Sequence, residues 1–257
     1  MAQCFVWPSG AIRSNRAGSD MFSKRADKKE WMDDLALDDP ALTRNLQELE
    51  AVNNWLGGKT TLISALDEVC RRHLHLLEAR TISIADLGCG GGDLLRAVHD
   101  WAEAKRLDVV LTGIDANPFM VRYAIEKSAT SGKIRFETAN VLSDAFKTMR
   151  FDIACLNTFC HHLSDADLIK LFRQLGTQAS TAIIVNDLHR HWIAYVSIKW
   201  ISRLLNFSHL ARHDGPLSVL RAFRKRELID LIERAGFDHP LIRWRWAFRW
   251  EVILWKR

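Results

Sequence analysis

No two cysteines in this chain are spaced as a disulfide framework or a metal knuckle would require. There are five, Cys4, Cys70, Cys89, Cys155 and Cys160. The odd number, with no CxxC and no His/Cys cluster, argues for a reducing compartment and against structural zinc; no metal is expected. No stretch reaches the roughly twenty apolar residues of a membrane-spanning helix, and the first residues lack the apolar core of a secretory signal. The expected location is therefore cytoplasmic. Charge of one sign is also scarce: the net +5 is spread along 257 residues, a weak argument for nucleic acid. Basic residues thicken only toward the end, at Arg221, Arg224, Lys225, Arg226, Arg243, Arg245 and Arg249. Interleaved with Trp244, Trp246 and Trp250 they could stack bases. The favoured reading is a two-faced strand pair, aromatics inward and arginines outward.

What is present centres on Ile82 to Gly92, I-S-I-A-D-L-G-C-G-G-G. A short apolar strand ends at Asp86, the chain turns on Gly88, Gly90, Gly91 and Gly92, and Asp93-Leu94-Leu95 opens a helix. Glycine permits positive φ and lets a ligand approach the backbone without meeting a Cβ. The helix N-terminus beyond it presents unpaired N–H groups, as in a nucleotide-type site at the end of the first strand of an α/β sheet. Counting from Gly88, the sixth position of a G-x-G-x-x-G dinucleotide loop is Asp93, an acid where a pyrophosphate would lie. About twenty residues on, Val109 to Ile114 forms a second strand closing on Asp115, whose carboxylate can accept both hydroxyls of a ribose.

The rest of the chain organises around that unit. Residues 1–20 have no apolar period and are expected to be disordered; Met21 could be the true start. From about Glu30 to Glu78 apolar residues recur at helical spacing, broken at Asn53-Asn54-Trp55-Leu56-Gly57-Gly58. Residues 21–79 are therefore expected to form an N-terminal helical cap over the carboxyl end of the first strand. Residues 80–257 alternate strands near 82–86, 109–115, 133–138, 151–156 and 181–187 with helices near 93–105, 118–129 and 165–178, which means a parallel sheet covered on both faces. A helical insertion over 189–224 holds an apolar helix from His191 to Leu205 and a loop at His213-Asp214-Gly215-Pro216. A helix from about Arg226 to Ala235 and strands near 241–247 and 249–255 close the chain.

The run Asp86-Leu87-Gly88-Cys89-Gly90-Gly91-Gly92, D-x-G-x-G-x-G, resembles motif I of the class I S-adenosylmethionine (SAM) methyltransferases. Their cofactor carries a cationic sulfonium and an α-amino group but no phosphate, so an acidic loop suits it and repels NAD. The resemblance spans roughly residues 80–257 and implies a seven-stranded, Rossmann-like α/β sheet with helices on both faces. It implies SAM contacts at Asp86, Gly88, Cys89, Gly90, Gly92, Asp115, Ala116, Asn140, Val141 and Asn157. Ala139-Asn140-Val141 stands where the family often has Gly-Asp and an apolar residue; Asn140 can still accept a bond from the adenine amine, and the Val141 N–H faces the ring. Phe151 to Leu163 resembles the fourth-strand motif of small-molecule methyltransferases, including those of quinone biosynthesis. E-W-M-D-D, N-N-W-L-G-G and R-H-D-G-P-L-S look like bacterial methyltransferases found with polyketide and lipid-like phenol pathways. The N/D-P-P-Y/F element that grips base amines in nucleic-acid methyltransferases is missing: Asn157-Thr158-Phe159-Cys160 has no proline, and Cys160, where a pyrimidine-methylating enzyme would hold its nucleophile, reads as packing.

Methyl transfer from a sulfonium is an in-line displacement in which orientation supplies much of the acceleration. A phenol or carboxylate acceptor also calls for a general base, first of all a histidine. His161 and His213 are the candidate catalytic residues, the latter with Asp214 as orienter or as a mere turn residue. His162, His189, Trp192 and Tyr195 are candidates for the acceptor pocket, against the plain alternatives of buried or solvated side chains. The helix from His191 to Leu205 either packs on the sheet or walls a greasy pocket and touches a membrane surface. The function expected is SAM-dependent methylation of a small apolar aromatic or polyketide-like acceptor, with oxygen favoured. Carbon or nitrogen methylation, or a non-catalytic SAM-binding subunit, remain alternatives; a nucleic-acid partner is not expected.

Overall fold

The structure, a computed structural model, describes residues 21–35, 37, 39–77, 81–129 and 132–256. Residues 1–20, with the disorder expected there, lie outside the described part. Seven strands form one sheet: β1 (Ile82–Leu87), β2 (Val109–Asp115), β3 (Ile134–Thr138), β4 (Phe151–Asn157), β5 (Ala179–Leu188), β6 (Leu241–Arg245) and β7 (Arg249–Trp255). Their order is β3-β2-β1-β4-β5-β7-β6. Strands β1 to β5 pair in parallel, and β7 enters antiparallel between β5 and β6. The central strand β4 is buried along its whole length. That is why its middle, Ile153 to Leu156, is apolar on both faces: both faces of a parallel sheet are covered.

The helices are α1 (Ala41–Trp55), α2 (Gly58–Leu77), α3 (Asp93–Lys105), α4 (Pro118–Lys127), α5 (Asp165–Gln178), α6 (Trp192–Leu204), α7 (His209–Arg221) and α8 (Lys225–Arg234). Leu62, Ala65, Leu66 and Val69 of α2 join Leu94, Leu95 and Val98 of α3 in one core with Ile82, Ile84, Ile153 and Ile184. Leu168, Phe172 and Leu175 of α5 and Leu228 and Ile232 of α8 build the other. Polar side chains set the starts: Asn117 accepts from Phe119 N–H, with Pro118 in the first turn, and Ser164 accepts from Asp167 N–H, each satisfying a donor that the helix cannot.

Three expectations change. Of the N-terminal helices, α1 borders the space beyond the strand ends, whereas α2 lies on the sheet face and belongs to its core. The turn expected at His213 to Pro216 is continuous helix within α7. Ser208 caps that helix on Ala211 N–H, the Asp214 carboxylate is taken by the N–H groups of Trp31 and Met32 at 3.0 and 3.1 Å, and Gly215 serves a close helix crossing, since a Cβ there would lie 3.0 Å from Ile198. The terminal hairpin keeps only part of its expected sense: Trp250 is buried as expected, but so is Arg249, while Trp244 and Trp246 are exposed. Glu251, fully buried on β7, draws Arg245 (2.7 Å) and Arg243 (3.4 Å) to its side. Trp244 shares the other face with its pair partner Trp250, but it stands on the edge strand β6 and stays exposed there.

Candidate active site

Beyond the carboxyl ends of β1, β2 and β4 lies a cavity of about 740 Å³ roofed by α1, α6 and α7. Its floor is the glycine turn. Gly88, Gly90 and Gly92 have φ of 72°, 50° and 72°. The N–H groups of Gly88 and Cys89 bond Ile114 O at 2.8 and 3.1 Å, which fixes the turn to the end of β2. A Cβ on Gly88 would lie 2.2 Å from the Phe159 ring, whereas nothing stands within 4 Å of one on Gly90. The space above Gly90 is therefore the point of close ligand approach.

Asp115, at the end of β2, accepts Gly90 N–H at 2.9 Å and Asn117 N–H at 2.8 Å. Two of its four lone-pair sites are thereby used and two remain for ligand hydroxyls. Asp86 is buried and accepts from Asn157 Nδ2 at 2.8 Å; Asn157 in turn accepts from Asn186, which also donates to Gly58 O. Burial, with the neighbouring Asp93 and Asp115 carboxylates, pushes the Asp86 carboxyl up to about 7. Burial also raises Asp93 and Asp115. Three crowded carboxylates held above their ordinary range form a site that would repel a phosphate and gain from a cationic ligand. The donor set thus fits a ligand with an ammonium or sulfonium group and a ribose.

Of the residues expected to hold the cofactor, Asp86, Gly88, Cys89, Gly90, Asp115, Ala116, Asn140, Val141 and Asn157 line this cavity. Gly92 does not: it lies under the loop, where a Cβ would meet Phe136 and Ala124, so its role is packing. The buried Cys89 thiol sits 2.9 Å from where a Cβ on Gly113 would be. Asn140 is exposed and its Oδ1 accepts Leu142 N–H at 2.9 Å, an Asx turn that shapes the rim.

The second constellation stands at the far side of the cavity. After β4 the 3₁₀ turn Cys160–His162 buries His161. Its backbone N–H and its Nδ1 meet the Asp187 carboxylate at 3.2 and 2.7 Å. Burial alone would raise Asp187, but His161 holds it below the usual carboxylate range. The Nε2 edge of His161 faces Glu30 Oε1 at 3.7 Å, an oxygen with no hydrogen-bond partner. Burial pushes Glu30 up to about 7, against the lowering effects of His162, Ser218 and Arg221. His162 Nδ1 meets Asp33 Oδ1 at 2.5 Å; His162 and the Arg221 guanidinium outweigh burial and hold Asp33 well below its ordinary value. Arg221 pins the turn from beneath, donating to the carbonyls of His161 and His162 at 3.1 and 2.8 Å.

Glu30, His161 and His162 each offer a donor atom within 4.8 Å of the others, spacing that could admit a cation. Arg221 already stands 3.7 Å from Glu30 and pairs with Asp33, so the cluster carries its own counter-charge and is better suited to handling a proton. His189 lines the cavity; burial, then the nearby His191, Arg224 and Arg190 charges, lower it to about 4, which keeps it neutral.

His213 is turned away from the cavity and stacked on Trp31 at 3.8 Å. Its Nδ1 meets Asp214 at 2.6 Å, but that carboxylate is committed to the Trp31 and Met32 N–H groups. Trp192 and Tyr195 also lie outside the lining: Trp192 is exposed and Tyr195 packs edge-on against Phe22. The α6 face toward the cavity is Ala194, Ser197, Ile198 and Ile201, the i, i+3, i+4, i+7 set. Sequence reasoning did not single out Glu30, Asp33, Asp187 or Arg221. An acid at the carboxyl end of the fifth strand was a signal for Asp187, and Glu30 and Asp33 stand within the E-W-M-D-D run, which carried a resemblance but no role; nothing local marks Arg221.

Residues 84–178 match a family described as "Methyltransferase domain". The chain is 21% identical over 198 residues to the ubiquinone biosynthesis O-methyltransferase of Bartonella quintana (strain Toulouse), covering 73% of this chain and 77% of that protein. Among solved structures it resembles the plantazolicin methyltransferase BpumL in complex with SAH, with TM-score 0.60, 16% identity, and 84% of this chain and 94% of the other covered. It also resembles human N-acetylserotonin methyltransferase in complex with SAM, with TM-score 0.60, 14% identity, and 93% and 65% covered. At these identities the structural likeness speaks to the fold.

Proposed function

Taking as premise that the chain is a class I SAM-dependent methyltransferase with SAM as its methyl donor, we propose that it methylates oxygen on a small, largely apolar, phenol-like acceptor. One observation carries this reading: His161, with Nδ1 tied to Asp187 and Nε2 turned toward the unpartnered Glu30 oxygen, lines the same cavity as the acidic glycine turn. The name of the Bartonella quintana relative supports oxygen as the target atom.

The chemistry follows from the tautomer that Asp187 imposes. With Nδ1–H donating to that carboxylate, Nε2 carries a lone pair and serves as base. Two atoms 3.7 Å apart can both lie about 2.8 Å from one intervening hydroxyl oxygen, which is hydrogen-bond reach for each. The acceptor hydroxyl gives its proton to His161 Nε2, Asp187 stabilises the imidazolium, and Glu30 orients the oxygen or takes the proton on toward solvent. When bound, SAM supplies an electrophilic methyl whose departing electron pair stays on sulfur. Leu46, Leu49 and Val52 of α1, Ile198 and Ile201 of α6, and Phe248 of the hairpin form the apolar walls. They would bury a hydrophobic acceptor and keep water from the base.

The test is incubation with SAM carrying a deuterated methyl and a panel of alkyl-substituted phenols and quinols, with the labelled atom located by NMR. A deuterated aryl methyl ether is expected. A label on ring carbon or nitrogen would overturn the oxygen assignment, and SAH binding without transfer to any acceptor would leave a non-catalytic SAM-binding subunit.

A further inference from the structure

Helix α6 is apolar on both of its sides. Ala194, Ser197, Ile198 and Ile201 face the cavity, yet the opposite side carries Trp192, Val196, Trp200 and Leu204 at four-residue spacing, with Trp200 at 69% and Leu204 at 84% exposure. A helix on the surface of a globular protein ordinarily turns a polar face outward, and a contiguous apolar patch marks an interaction surface. This one continues beyond the helix. The Trp192 ring stacks near His191 (6.1 Å), His191 on Phe248 (5.0 Å), and Phe248 meets Trp244 edge-on (5.9 Å). Ala247 N–H bonds Leu56 O, which brings the exposed Trp55 and Trp246 to the same rim.

Charge decides what such a surface fits. The segments that present these side chains, residues 51–66, 188–213 and 239–250, contain no Asp or Glu. They do contain Lys59, Lys199, Arg203, Arg212, Arg243 and Arg245. Arg243 and Arg245 are paired with Glu251 and Glu68, so the charge of this face comes from Lys199 and Arg203, exposed on α6, with Lys59 and Arg212 near its rim. Tryptophans, aliphatic side chains between them and this basic excess are the composition that settles at the headgroup level of an anionic bilayer. Two copies meeting through this face would set basic against basic. We propose that the α6–hairpin face docks on an anionic lipid surface, with the cavity mouth between Ile198, Ile201, Trp246 and Phe248 opening toward the lipid. The partner is a phospholipid bilayer, and the cavity draws its acceptor from it; that last step rests on the apolar-acceptor reading, whereas the docking does not.

The test uses the full chain with phosphatidylcholine vesicles, with and without phosphatidylglycerol. Sedimentation measures partitioning, and brominated acyl chains report tryptophan insertion by quenching. Expected are binding to the phosphatidylglycerol vesicles only, weakening with salt, and quenched fluorescence. Trp200→Ser with Leu204→Ser should lower partitioning by about tenfold or more, as apolar contact is lost. Lys199→Glu or Arg203→Glu should lower it by roughly fivefold or more per basic group removed. SAH affinity by calorimetry should be unchanged in every variant. A wild-type chain that binds SAH but neither vesicle overturns the docking, as does a solution dimer that Trp200→Ser dissociates. Transfer to a short-chain soluble phenol separates the two proposals: transfer without vesicle binding sinks only the docking, and vesicle binding without transfer to any acceptor sinks only the O-methylation.

Discussion

Replacing Asp86 by asparagine should stabilise the ligand-free protein at alkaline pH while weakening its hold on SAM. Asp86 is buried with Asp93 and Asp115 nearby, and its carboxyl is pushed from 3.8 to about 7. That rise corresponds to roughly 4 kcal/mol against the charged form, as an upper figure. The sign is fixed by linkage: a carboxyl raised on folding favours the folded state while protonated, and that contribution is lost as pH climbs from about 4 through about 7. Asparagine keeps the polar contact to Asn157 and does not titrate. The variant and the parent should therefore melt alike at and below about pH 4, diverge progressively from there, and differ fully above about pH 7, with the variant higher by up to about 10 °C for a domain of this size. Scanning calorimetry across that range, without ligand, measures the difference. Losing a charge-assisted bond to the cofactor ammonium should weaken SAM by about ten- to a hundredfold. A variant less stable than the parent by the same amount at both ends of the range would refute the stored-charge account and make Asp86 an ordinary structural acceptor.

Four other outcomes follow from the same geometry. Gly88→Ala, at φ 72° with Phe159 in the way of a Cβ, should cost about 2 kcal/mol of stability or more in a denaturant melt. Gly90→Ala meets open space and should fold with a smaller loss, yet fail to bind SAH in calorimetry. Because Glu30 stands near 7 and must be ionised to take the proton on from His161, kcat/KM should rise with pH through about 7, and Glu30→Gln should shift or flatten that limb in a pH–rate profile. Arg249, buried and bonded to Leu56 O, Thr158 Oγ1 and Asn53 Oδ1, should cost about 3 to 5 kcal/mol when replaced by alanine, read as a fall in Tm.

The parts legible in the sequence were those that local pattern determines. The glycine turn, the acids at the ends of β1 and β2 and the strand–helix alternation each rest on spacing within a few residues, and they predict the sheet and the acidic floor of the cavity. The proton-handling cluster was only partly visible. His161 follows β4 directly, but its partners Glu30, Asp187 and Arg221 come from an N-terminal turn, the end of β5 and α7, and only tertiary packing unites them. His213 misled because His-Asp-Gly-Pro reads as a turn, whereas the Ser208 cap and the two N–H bonds to Asp214 hold it in a helix. The terminal hairpin misled in part for a related reason: Trp250 is buried on β7 as its apolar character suggests, but Trp244 sits on the edge strand β6, and the buried Glu251 holds Arg243 and Arg245 against the sheet.

The most direct test of the central claim is single-turnover transfer of labelled methyl from saturating SAM to a phenolic acceptor, with the parent compared with His161→Gln. The structure predicts a fall in rate of about a hundred- to ten-thousandfold with SAH affinity unchanged, because His161 holds the proton and not the cofactor. An undiminished rate in the glutamine variant would contradict the assignment of His161 as base and of oxygen as the atom it activates.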